Sequence, residues 1–179
     1  MTGQWLMTYD LVLFDVDGTL VRTKSGAAVR KTPEDWTPLP GRLQAFIDLH
    51  TAGKRAALVT NQGGAAFGYF TTVEMHIQIR RLARFLGLGE GRTGEARWDA
   101  CYICYTHPQG TVPALTCVDE RRKPAPGMLY EAMRDTGITP PWTLMVGDRP
   151  EDEAAAHAAG CGFMWAAEYF APYEQAGVP

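Results

Sequence analysis

Five short apolar runs punctuate the chain, and helix-like patterns fill the spaces between them. Residues 11–14 (LVLF), 55–60 (with Ala56, Ala57, Leu58 and Val59), 100–104, 143–146 and 162–165 are too short for helices. The first two are continuously apolar and read as buried strands, and the other three read as further strands. Residues 41–52 carry Leu43, Phe46, Ile47 and Leu49 at helical spacing and stop at Gly53. Residues 71–86 carry Val73, Ile77, Leu82 and Phe85, and Gly87 ends them. Residues 126–136 place Met128, Leu129, Ala132 and Met133 on one side before Gly137. Residues 150–159 open on Pro150, where a missing N–H costs little. The tail, residues 171–179, shows no period. Strand–helix alternation of this kind predicts a three-layer α/β domain, with a central parallel sheet and helices on both faces.

Such sheets bind ligands beyond the carboxyl ends of their strands. The first run ends in Asp15-Val16-Asp17-Gly18-Thr19-Leu20, the second in Thr60-Asn61-Gln62, and the fourth in Gly147-Asp148, with Glu151 and Asp152 close behind. A lone acid after a strand is commonly a turn cap. Acids from two strand tips brought to one edge repel one another unless a cation intervenes. Mg²⁺ suits a site of carboxylates, a carbonyl and waters. Lys123, in Arg122-Lys123-Pro124-Ala125-Pro126, reads either as part of a solvated basic turn or, because the prolines make that turn rigid, as a positioned charge, the second reading being at least the equal of the first.

Composition narrows the class. With 17 basic and 20 acidic residues among 179, the net charge is −3, which excludes a generally polybasic nucleic-acid binder. A hydrophobic share of 46% and an aromatic share of 11% fit one folded domain over residues 1–179, with residues 100–120 as a metal-binding or substrate loop within it. No apolar stretch reaches the length of a membrane span, and the N-terminus shows no signal-peptide pattern. The expected location is the cytoplasm.

The motifs Asp15–Leu20, Thr60, Lys123 and Gly147-Asp148 with Asp152 occur in the order characteristic of the haloacid dehalogenase superfamily, which the chain resembles. Thr60-Asn61-Gln62 and Arg122-Lys123-Pro124 with Gly127 and Met128 resemble its IIIA-type subgroup of histidinol, heptose bisphosphate and polynucleotide 3′-phosphatases. The resemblance implies a Rossmann-like fold and a magnesium-dependent phosphomonoesterase that works through an aspartyl phosphate. Asp15 would be the nucleophile and Asp17 the general acid–base. Thr60, Asn61 and Lys123 would hold phosphoryl oxygens. Mg²⁺ would be held by Asp15, the Asp17 carbonyl and Asp148, while Asp152 orients Lys123 or a metal-bound water. The spacers between motifs are too short for a separate cap domain, so a minimal cap is expected.

Cys101, Cys104, His107 and Cys117 offer ligand types that a structural zinc accepts, and related phosphatases carry a zinc loop in this region. The competing reading is a strand with buried cysteines followed by an ordinary loop. Asp119-Glu120-Arg121 and Thr106 depart from the subgroup's ligand pattern.

For substrate, Arg22, Lys24, Arg30 and Lys31 form a basic stretch with no acid among residues 18–33, which suits a polyanion. The 23–26 run, Asp35-Trp36 and residues 163–170 resemble the polynucleotide 3′-phosphatase branch. A polynucleotide 3′-phosphate end is therefore the first expectation, with Arg22 and Lys24 on the substrate and Trp36 stacking a base or anchoring a loop. The alternative is a small phosphate ester of the histidinol phosphate or heptose bisphosphate type. A non-catalytic phosphate-binding regulatory module is the rival from another class.

Overall fold

The computed structural model describes residues 8–88 and 100–175. Five parallel strands form the central sheet in the order β5-β4-β1-β6-β7: β1 (Leu11–Phe14), β4 (Arg55–Asn61), β5 (Cys101–Cys104), β6 (Thr143–Gly147) and β7 (Gly162–Trp165). A two-stranded antiparallel ribbon, β2 (Val21–Arg22) with β3 (Thr37–Pro38), rises from the end of β1. The helices are α1 (Arg42–Thr51), α2 (Thr72–Phe85), α3 (Gly127–Thr136), α4 (Pro150–Ala159) and α5 (Ala166–Gln175).

β1 is the middle strand. It is paired along its length with β4 on one side and β6 on the other, Phe14 lying in register with Leu58 and Val146. The chain moves outward from β1 through β4 to β5, then returns to β6 on the opposite side. That reversal opens a crevice at the carboxyl end of β1. Alternate residues of β1 serve two cores. Val12 and Phe14 join residues of α1, α2 and α5, and Leu11 and Leu13 join residues of α3 and α4. Phe14 packs against Phe46 at 4.7 Å and, edge-on, against Tyr169 at 5.3 Å.

Two helices bury a different face from the one their apolar spacing predicts. α1 buries Arg42, Ala45, Phe46 and Leu49 and leaves Leu43 and Ile47 exposed. Arg42 is accommodated because its guanidinium donates to the Thr19 carbonyl (3.1 Å), pairs with Glu174 and lies over the Phe170 ring. α2 buries Met75, Gln78, Ile79, Leu82 and Ala83, while Val73, Ile77 and Phe85 face outward. α5 was not foreseen: Tyr169, Phe170 and Tyr173 anchor it in the core although Pro172 lies inside it. No described helix is long and apolar enough to cross a membrane.

Candidate active site

Asp15 follows β1 directly, with its amide donating to the Val146 carbonyl of β6 (3.0 Å). The next residues turn sharply: Gly18 has φ +93°, and a Cβ there would lie 2.2 Å from Asp148 Oδ2. Glycine is thus required both by the backbone and by the carboxylate beside it. Asp148 follows β6 and accepts from the Thr19 hydroxyl at 3.0 Å. Gly147 makes room in the same way, since a Cβ there would meet Asp152 Oδ2 at 2.3 Å. Carboxylate oxygens of Asp15, Asp148 and Asp152 consequently lie within 4.8 Å of one another.

The Lys123 ammonium is buried among these acids. It donates to Asp15 Oδ1 (2.6 Å) and the Val59 carbonyl (2.8 Å), and pairs with Asp152 Oδ1 (2.6 Å). Burial alone would lower its pKa, but Asp15 and Asp152 outweigh burial and raise it, so the ammonium stays charged. Burial pushes the Asp15 carboxyl up to about 7, helped by the charges of Asp152 and Asp17 and opposed by Lys123. Asp152, the third residue of α4, also accepts from the Arg149 amide (3.1 Å).

Thr60, at the end of β4, is buried, and its hydroxyl accepts from Gln62 Nε2 at 2.9 Å. Asn61 spends its side chain on the chain itself: Nδ2 donates to the Lys123 carbonyl (2.9 Å) and Oδ1 accepts from the Lys123 amide (3.1 Å). Asp17 faces the cleft with both oxygens engaged. Gln62 Nε2 donates to Oδ2 (2.6 Å), and Arg30 donates to Oδ1 through Nε (3.0 Å) and Nη2. Gln62 and Arg30 were not singled out as site residues by sequence reasoning. Gln62 adjoined a recognisable motif, but nothing in the basic run 22–31 set Arg30 apart as the one that turns inward.

Asp15, Asp17, Thr60, Gln62, Lys123 and Asp152 line a cleft of about 760 Å³ whose further walls include Arg22, Lys31, Phe67, Tyr69, His107 and Arg122. Lys24 is exposed and does not line it. Trp36 is no platform for a base: it packs against the core and donates through Nε1 to Gln78 Oε1 at 3.4 Å.

The zinc expectation is corrected by the sheet. Cys101 and Cys104 are three residues apart on one strand, and their side chains enter opposite cores. Cys117 is exposed. The His107 ring instead packs on Phe67 at 4.9 Å and accepts from the Gln109 amide. The Cys104 thiol meets Thr106 Oγ1 (3.1 Å) and Asp119 (3.7 Å), and burial raises its pKa. Among the described residues, the metal-competent cluster found is the carboxylate trio.

The profile of the family described as "Polynucleotide kinase 3 phosphatase" matches residues 10–168. The chain belongs to that family. It is a phosphatase of the haloacid dehalogenase type, and members of this kind are also its relatives by pairwise comparison. It is 35% identical over 151 residues to the D-glycero-beta-D-manno-heptose-1,7-bisphosphate 7-phosphatase of Bordetella bronchiseptica, covering 84% of this chain and 76% of that one. The enzyme of the same description from Rhodopseudomonas palustris is 34% identical over 131 residues, 73% of this chain and 70% of the relative. Among solved structures, the D,D-heptose 1,7-bisphosphate phosphatase of B. bronchiseptica, complexed with magnesium and phosphate, superposes with a TM-score of 0.68 at 29% identity. That match covers 95% of this chain and 88% of the other. The relatives therefore favour the small-ester expectation over the polynucleotide one.

Proposed function

We propose that this phosphatase hydrolyses a small phosphorylated sugar of the heptose bisphosphate type, with Mg²⁺ as its cofactor. The similarity to curated heptose bisphosphate phosphatases across most of both chains carries this reading. The cleft volume falls within the range usual for small-ligand sites. Arg22, Lys31 and Arg122 on its walls would suit the ester's second phosphate.

The donor set suits a hard divalent cation. Asp15 and Asp148 present oxygens close enough to share one ion, and Asp148 can lie where it does only because glycine stands at 18. These two carboxylates and the Asp17 carbonyl would hold Mg²⁺, which when bound offsets negative charge on the phosphoryl oxygens. Asp152 is already committed to Lys123 and the Arg149 amide, so it acts by holding the lysine.

In this mechanism an Asp15 carboxylate oxygen attacks phosphorus in line. The bond from phosphorus to the ester oxygen breaks, and Asp17 gives that oxygen its proton. Asp17, now a carboxylate, takes a proton from water as the water attacks phosphorus. Phosphate leaves and the Asp15 carboxylate is restored. Lys123 and Thr60 steady the transferring group's oxygens, while Asn61 holds the lysine turn in place.

The test is a panel with Mg²⁺: heptose bisphosphate, histidinol phosphate, a 3′-phosphorylated oligonucleotide and an aryl phosphate. The highest kcat/KM is expected for heptose bisphosphate. The family's description favours the oligonucleotide, and a preference for it with steep salt dependence would replace the sugar reading. An Asp15→Asn variant is expected to show no turnover on any of the four, and retained activity would remove Asp15 from the mechanism.

A further inference from the structure

The segment between β2 and β3 reaches into the cleft with one buried cation. Arg30 is 5% exposed although its neighbours 24–29 and 31–32 are exposed. Its Nε and Nη2 both donate to Asp17 Oδ1, and its Nη1 lies 3.9 Å from Met75 Sδ of α2. From the other side of the cleft Gln62, itself buried, donates to Asp17 Oδ2 at 2.6 Å. Both oxygens of the carboxylate are thus fixed by groups from two different segments, which sets the plane as well as the place of the group.

The segment carrying Arg30 is itself stapled. Asp35 accepts from the Ser25 amide (2.9 Å) and hydroxyl (2.6 Å), closing the loop at its base. Trp36 donates to Gln78, and Gln78 donates to Glu34 at 3.3 Å, tying the loop to α2. A buried arginine loses hydration and rotamer freedom, so a loop that places one against an acid at the cleft needs a compensating role. A guanidinium matches a carboxylate in shape and charge. Gripped by Arg30 on one oxygen and by Gln62 on the other, the Asp17 carboxylate is held to one position and one plane at the cleft.

We propose that Arg30 is the positioning residue of Asp17, delivered by the stapled 23–36 loop, and that its grip serves the hydrolysis of the phosphorylated enzyme. The proposal rests on the reading of Asp17 as the acid–base. In that step Asp17 accepts a proton from water, the water oxygen bonds to phosphorus, and the bond between phosphorus and the Asp15 oxygen breaks.

The experiment uses 2,4-dinitrophenyl phosphate, whose leaving group departs without a proton, with the whole protein in saturating Mg²⁺. Arg30→Gln is expected to lower kcat by about ten-fold, a fraction of what a full general base supplies. KM should fall in parallel, so kcat/KM holds, and stopped flow should show a burst of dinitrophenol approaching one per enzyme. An equal fall in kcat/KM without a burst is what a structural role predicts, and it would overturn the proposal. Asp17→Asn separates the two readings: a burst in Asp17→Asn but none in Arg30→Gln removes Arg30 alone, whereas wild-type turnover in Asp17→Asn removes the acid–base assignment beneath it. If Arg30→Gln does not fold, Asp35→Ala unclips the loop from its exposed side. It is expected to give the same parallel fall in kcat and KM at smaller amplitude, and loss confined to kcat/KM would count against the loop.

Discussion

Asn61 and Lys123 are locked by a reciprocal pair of hydrogen bonds, the asparagine amide donating to the lysine carbonyl at 2.9 Å and accepting from its N–H at 3.1 Å. The two residues are 62 positions apart, one at the end of β4 and the other in the turn before α3. A side-chain amide is therefore what sets the lysine turn against the strand tips. Asn61→Ala should leave two backbone groups without partners, costing roughly 1–3 kcal/mol if they remain buried. The expected outcome is a fall in kcat, because the ammonium drifts from the phosphoryl position, with a melting temperature lowered by about 2–4 °C for each kcal/mol lost. Steady-state kinetics beside a thermal melt checks it.

Lys123→Met should be far more damaging to the fold itself. It leaves Asp15 and Asp152 facing each other in a buried site with no cation between them. Breaking such a pair costs about 3–5 kcal/mol. The loss should shrink as the pH is lowered, because protonation discharges the abandoned carboxylates. Urea unfolding at pH 7.5 and pH 5 measures it, and an equal loss at both would show that the charge is not the cause.

The raised pKa of Asp15 gives the metal-free protein a pH dependence of definite sign. Its ordinary value is 3.8 and its folded value about 7, so the folded state keeps a proton that the unfolded chain has released between those limits. The stability this group contributes is complete below about pH 4 and is lost as the pH rises to about 7. A divalent cation held by the carboxylate displaces that proton. Mg²⁺ should therefore raise the melting temperature more at pH 8 than at pH 5.5, and titration calorimetry near neutral pH should register proton release on binding.

The loop that follows β5 should be indifferent to zinc. Cys117 is exposed, and Cys101 and Cys104 belong to opposite cores. Cys117→Ser should change stability by less than about 0.5 kcal/mol, as surface substitutions usually do. Chelation followed by Mg²⁺ alone should restore full activity. Elemental analysis of the purified protein, with no stoichiometric zinc expected, completes the check.

The layering and the acid cluster were readable in the sequence because each depends on short-range signals. Runs such as LVLF have no wet face to offer, and the residues that follow β1, β4 and β6 must meet at one sheet edge. The helix faces were harder. α2 carries two apolar rows, Val73-Ile77 and Met75-Ile79-Leu82, and only the sheet decides between them. Gln78 counts as polar in any pattern, yet it is buried because Trp36 and Glu34 satisfy its amide. Arg30 was hidden for the same reason in reverse. It sits in a basic run like its neighbours, and its difference lies in Asp17, reached only through the tertiary fold. α5 escaped because Pro172 and the small residues around it mask an aromatic anchor.

Asp15 is carried by the central strand of the five, so its end of the sheet can shift only if β4 and β6 shift with it. Amides of β1 are thus expected among the last to exchange with heavy water, opening only when the whole molecule unfolds. In the mechanism proposed above, Asp15 is the stationary partner in the encounter. Accommodation of substrates of different shape falls to the peripheral segments around it, and those are where sequence can drift toward new esters while the chemistry stays anchored.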